Sequence, residues 1–134
     1  ERITRRVLAL EPDNADALNA LASVALKFNK FDGAAELLQR ATHLAPLEPK
    51  YHHNYAEALA GLRRFEESLI EYRRAMETGN FPLTYSQYGN RLVYLGHLEE
   101  GIVSLRRSVQ IEPKFARGHD ELGSAFQAAG RCPR

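Results

Sequence analysis

His53 and Glu57 stand four residues apart, a spacing that on a helix puts an imidazole and a carboxylate on one face, as metal sites and acid–base pairs require. No third ligand is assured by the spacing, so a solvated histidine–glutamate pair is the favoured reading. Glu66 with Glu67 and Glu99 with Glu100 look like paired carboxylates, but neighbours on a helix point about 100° apart, and such residues read as helix-start charges. Cys132 has no evident base beside it. The chain carries no glycine-rich phosphate loop, no zinc-spaced Cys/His set and no hydrolase elbow. Enzymatic activity is therefore not expected, no metal or other cofactor is indicated, and no small-molecule substrate is evident.

The bulk composition narrows the partners. Within 134 residues, 18 Lys and Arg face 17 Asp and Glu, a formal charge of +1, so no global field draws the chain to nucleic acid or to an anionic membrane. No apolar run is long enough to span a bilayer. The lone Cys132 cannot form an internal disulfide, which favours a reducing compartment, so a cytoplasmic location is expected.

What positions the candidate residues is a repeat. Phe31 and Phe65 are 34 apart and Leu98 follows 33 later; Ala41, Ala75 and Ser108 take the same steps, as do Arg40, Arg74 and Arg107. Pro12, Pro46 and Pro113 obey the rule, with Asn80 at the intermediate place. The shortened copy points to a deletion at Asn80-Phe81-Pro82, where a turn absorbs it without rotating a helical face. Each period holds two amphipathic patterns joined by a short break, such as Leu18, Leu21, Ala22, Ala25 and then Ala34, Leu37, Leu38, Ala41. The spacings predict helices near 15–28, 32–45, 49–61, 65–78, 82–95, 99–111 and 116–129, with short joints that force antiparallel pairs.

With Ala15 as position 1, position 8 holds Ala22, Ala56, Gly89 and Gly123; position 20 holds Ala34, Ser68 and Gly101; position 27 holds Ala41, Ala75 and Ser108. A helical glycine costs roughly 1 kcal/mol against alanine, so close approach of two helix backbones is the expected reason, and Gly89→Leu is expected to overpack. Bulky residues flank these slots: Leu18, Leu21 and Leu38, then His52, Tyr55 and Tyr72, then Tyr85, Tyr88 and Leu105. His52 and His119 occupy one such slot, which predicts a half-buried packing role. A single helix pair buries too little to stand alone, and stacking supplies the core.

This 34-residue, two-helix period, with small residues at 8, 20 and 27 and proline at 32, resembles the tetratricopeptide repeat (TPR) family over nearly the whole chain. It departs at position 4, where the family has tryptophan and Leu18, His52, Tyr85 and His119 stand, and at Asn80. The resemblance implies an all-α, right-handed superhelical solenoid of antiparallel helix pairs. One array then occupies 1–134: the end of a preceding repeat at 1–12, repeats at 13–46, 47–80 and 81–113, and a partial repeat or capping helix at 114–134. The phase of both ends suggests a segment of a longer array. Exposed ends of such an array favour end-to-end self-association.

The resemblance also implies that the first helix of each repeat lines a groove for a peptide or protein segment. Positions 2, 5, 6, 9, 12 and 13 supply the candidates Asn19, Ser23, Lys27, Lys50, His53, Asn54, Glu57, Gln87, Asn90 and Tyr94, beside Asp16, Ala60, Gly61, Ser86, Arg117 and Glu121. The amides Asn19, Asn54, Gln87 and Asn90 suit a partner held in extended form, because each both donates and accepts. Some TPR domains grip a chaperone's terminal carboxylate through cations at set groove positions. Here those slots read Asn19, Ser23, Asn54, Leu83 and Gln87, with no cation, so that ligand is disfavoured.

Arg6, Arg40, Arg74 and Arg107 share position 26, and Arg5, Arg73 and Arg106 share position 25. The column could dock an acidic protein or a nucleic-acid backbone. Compensation of helix C-termini explains it more simply, and nucleic acid is disfavoured by the balanced charge. The expected function is a protein–protein interaction scaffold. The alternative is the substrate-recruiting arm of a larger enzyme, such as a glycosyl- or sulfotransferase.

Overall fold

The structure, a computed structural model, describes residues 14–128 and residue 130. Among them are seven α-helices: α1 (Ala15–Lys27), α2 (Phe31–Leu44), α3 (Pro49–Gly61), α4 (Phe65–Thr78), α5 (Pro82–Tyr94), α6 (Leu98–Ile111) and α7 (Ala116–Ala128). Each falls within a residue of the span its periodicity predicts. The connection between α2 and α3 runs 45–48 and that between α6 and α7 runs 112–115, but that between α4 and α5 runs only 79–81. The missing residue is therefore lost from a turn, as expected. Arg5, Arg6, Pro12, Ala129 and Cys132 lie outside the described residues.

The starts and stops have local causes. Asn14 caps α1, its Oδ1 accepting from the Ala17 N–H at 3.0 Å, and Pro49 and Pro82 open α3 and α5 where a missing N–H costs nothing. The first helix of each pair ends in the same way. Asn29, Arg63 and Gly96 have φ of 58°, 63° and 92°, and the following residue sends its N–H back to a carbonyl five residues earlier: Lys30 to Ala25, Arg64 to Leu59, His97 to Leu92. This left-handed stop reverses the chain within three residues. Arginine pays for that conformation where glycine does not. Arg63→Gly is therefore expected to stabilise the fold by about 1 kcal/mol, read as a higher urea midpoint; an unchanged or lower midpoint would contradict the role given to this turn.

The chain forms two compact units, passing from one to the other between Gly79 and Asn80. In the first, α1 packs on α2, α2 on α3, α3 on α4, and α1 also reaches α3; in the second, α5 packs on α6, α6 on α7, and α5 also reaches α7. Small slots make these contacts. Ala22, Ala56, Gly89, Ala34, Ser68, Gly101, Ala41, Ala75 and Ser108 are all buried. The Ser68 hydroxyl donates to the Ala56 carbonyl at 2.8 Å and that of Ser108 to the Leu105 carbonyl at 2.6 Å, so neither polar atom is stranded. Leu38, Tyr72 and Leu105 fill the space between.

Gly123 departs from the rule. It is half-buried, and a Cβ built there would meet nothing within 4 Å, because no second helix covers α7 among the described residues. For the same reason His119 is exposed rather than half-buried, although its Nε2 still donates to the Pro113 carbonyl at 2.7 Å.

Candidate functional site

In the first unit the face of α1 and α3 is built by side chains that cross from one repeat to the next. Asn54 Nδ2 donates to Asn19 Oδ1 at 2.9 Å, and the Ser23 hydroxyl donates to the Asn19 carbonyl at 2.9 Å. Three candidates thus form one half-buried cluster. One turn away the Tyr51 hydroxyl donates to Asp16 Oδ1, which also lies 3.7 Å from Lys50 Nζ; the Lys50 ammonium sits 5.4 Å from the Tyr51 ring centre. Burial, and then the hydrogen bond to Asp16, push the Tyr51 hydroxyl well above the ordinary tyrosine value of 10.0. It remains a donor, and its stabilising contribution is whole below that value and fades only as pH climbs past it.

His53 Nε2 lies 3.0 Å from Glu57 Oε1, and its ring meets that of Tyr72 edge-on at 5.6 Å. The pair is thus engaged with its own neighbours, and no group of three His, Cys, Asp or Glu is placed to hold a metal among the described residues. Lys27 is exposed in the last turn of α1. Ala60 is buried and the Phe31 ring lies over Gly61, so positions 12 and 13 of this repeat belong to the core contact rather than to an open surface.

The second unit carries Gln87, half-buried, and Asn90 and Tyr94, exposed, along α5. Ser86 is fully buried instead of facing outward, because its hydroxyl donates to Glu121 Oε2 at 2.5 Å; Glu121 Oε1 in turn accepts from Arg117 Nε at 3.0 Å. Asn19 to Asn54 and Ser86 to Glu121 share one offset of 35 residues, position 5 of one repeat meeting position 6 of the next. That offset was the signal for both bonds, and it is visible only once neighbouring first helices are known to lie side by side.

A second network was not foreseen. His52 is buried, with Nδ1 2.8 Å from Glu71 Oε1 and Nε2 donating to the Pro46 carbonyl at 2.7 Å. Glu71 Oε2 accepts from Arg74 Nη1 at 2.7 Å. Arg40, Arg74 and Arg107 are exposed, and Arg106 lies 5.2 Å from the Phe126 ring centre. Two members of the arginine column therefore have packing or pairing roles within the fold.

The family model for the tetratricopeptide repeat matches residues 2–58. A TPR repeat-containing protein of Treponema pallidum (strain Nichols) is 48% identical over 52 residues, which is 39% of this chain and 6% of that protein; the chain thus spans a small fraction of the curated relative it matches. Among solved structures, MamA superposes with a TM-score of 0.88 at 19% identity over 96% of this chain and 76% of that one. The first TPR of Spaghetti (RPAP3), bound to an HSP90 peptide, gives 0.82 at 24% identity over 87% and 93%. YrrB, described as a TPR protein with an unusual peptide-binding site, gives 0.82 at 14% over 95% and 66%. These likenesses show the fold, an all-α helical repeat solenoid. Residues 2–58 match the tetratricopeptide repeat model, and the 34-residue period with its buried small-residue slots carries the same pattern on through Ser108.

Proposed function

We propose that this chain is a protein-interaction module whose first-helix faces hold a peptide or protein segment in extended form. The Asn19–Asn54 pair carries the reading. It joins consecutive first helices at a half-buried surface, and the bond between them leaves Asn19 Nδ2 and Asn54 Oδ1 to donate to and accept from a peptide backbone. Side chains already locked to one another lose little freedom on binding. The peptide-bound Spaghetti (RPAP3) domain and YrrB support use of such a fold for peptides. The HSP90 peptide does not transfer, since the slots for a chaperone's terminal carboxylate hold Asn19, Ser23, Asn54, Leu83 and Gln87 here.

The test is capture of a partner by the intact protein, followed by calorimetry with the captured segment. Asn19→Ala combined with Asn54→Ala is expected to weaken binding about tenfold, the loss of one or two hydrogen bonds. Equal binding to both forms would place the contact elsewhere.

A further inference from the structure

In the first unit a cleft of about 420 Å³ is lined by His43 in the last turn of α2, Leu47 in the loop after it, His52 of α3, and Arg74 and Glu77 near the end of α4, among others. None of the groove candidates lines it. Comparison of the repeats singles it out. Positions 4 and 23 hold Leu18 and Leu37 in the first repeat, packed in one apolar cluster; in the third they hold Tyr85 and Ser104, the hydroxyl of Ser104 donating to the Tyr85 carbonyl at 2.7 Å. Only the second repeat places a buried histidine and carboxylate there, His52 and Glu71. Such a pair gives up hydration that an apolar pair never had, so packing alone does not account for it.

What the pair does lies at its outer end. A chain of bonds runs from the Pro46 carbonyl through His52 and Glu71 to the guanidinium of Arg74, which is 58% exposed and lines the cleft. A guanidinium carries five N–H donors in a rigid plane, so fixing one edge orients the others. Arg40 and Arg107, at the same repeat position, have Leu37 and Ser104 where Arg74 has Glu71.

We propose that this cleft is a second binding site, taking a carboxylate-bearing side chain of a protein segment onto Arg74 while an apolar neighbour of that residue lies on Leu47, which is 79% exposed. A planar fork and a carboxylate match in shape and charge. Glu77 and the negative ends of α2 and α4 oppose a doubly charged phosphate more strongly than a single carboxylate.

The test is a titration of the ¹⁵N-labelled protein with the blocked peptide acetyl-Gly-Leu-Glu-Glu-Leu-Gly-amide and with its glutamine counterpart. The acidic peptide is expected to shift the Arg74 Nε resonance and the amides of His43, Leu47 and Thr78, and to bind about tenfold more tightly than the glutamine form. Arg74→Gln removes that preference. Because this variant also touches Glu71, Leu47→Ser is the second arm, lowering affinity with the melting temperature unchanged. Glu77→Gln tightens binding. Equal binding of the two peptides, shifts confined to the Asn19 and Asn54 face, or no binding at millimolar peptide would each overturn the proposal. The Asn19→Ala and Asn54→Ala variant leaves this titration unchanged, so the two sites stand or fall separately.

Discussion

Replacing His52 with leucine is expected to destabilise the fold by about 2–3 kcal/mol, although leucine is larger in apolar surface and already fills the same slot as Leu18. The cost comes from Glu71. Its carboxylate is buried, and losing the ring 2.8 Å away leaves only Arg74 to offset the charge. Removing one partner of a buried pair typically costs about 3–5 kcal/mol; the remaining arginine brings the figure to or just below the bottom of that range. Glu71→Leu alone leaves the Nδ1 side of His52 without its acceptor. The double variant His52→Leu with Glu71→Leu recreates the Leu18 and Leu37 pairing and is expected to recover most of the loss, giving a coupling of about 2 kcal/mol in a double-mutant cycle measured by urea unfolding. Additive single losses would show that the two side chains do not act together. In the double variant the orientation of Arg74 is gone while the fold stands, so its affinity for the acidic peptide should fall even though its melting temperature is restored.

Gly89→Ala carries the second large effect, and its sign is informative. Alanine is the better helix former by about 1 kcal/mol, so an open site would gain. Here the added Cβ would lie 2.8 Å from the Gly101 carbonyl oxygen and 2.8 Å from Leu105 Cγ. Backbone cannot swing aside as a side-chain tip can, so α5 and α6 must separate, at a net cost of about 1–3 kcal/mol. Gly89→Leu costs at least as much. Gly33 is the control, helical and exposed with nothing within 4 Å of a built Cβ; Gly33→Ala is expected to gain about 0.5–1 kcal/mol. Thermal melts of the two alanine variants should move in opposite directions. If Gly89→Ala also melts higher, the close approach of the two helices is not what that glycine serves.

Much of the scaffold was legible from residues alone because the constraint is steric and periodic. A residue such as Ala22, Ala56 or Gly89 has to be small wherever two backbones meet, and a stacked array imposes that demand every 34 residues. The same logic located the lost residue in the turn before Pro82. It failed at Gly123 and His119, which share slots with buried residues of earlier repeats. Position within a repeat encodes the shape of a slot, but burial depends on whether a second helix is there to fill it.

Partnerships between charged and polar side chains were not legible in this way. Glu71 reads as one more acid on an amphipathic helix, His52 as a bulky filler and Arg74 as helix-end compensation. Glu71 and Arg74 share a face three residues apart on α4, but the meeting of His52 with Glu71 depends on rotamers and on a distance of 2.8 Å across two helices, which spacing along one helix does not report. Asn19 and Asn54 were both expected at the groove, yet that one bonds the other follows only from α1 lying against α3. By itself the sequence determined the helices, their pairing and the small contacts between them, since these follow from size and period. The tertiary structure alone decided which polar groups face each other, because hydrogen bonds and ion pairs are short-range and directional, and they form only after packing has brought separate helices into contact.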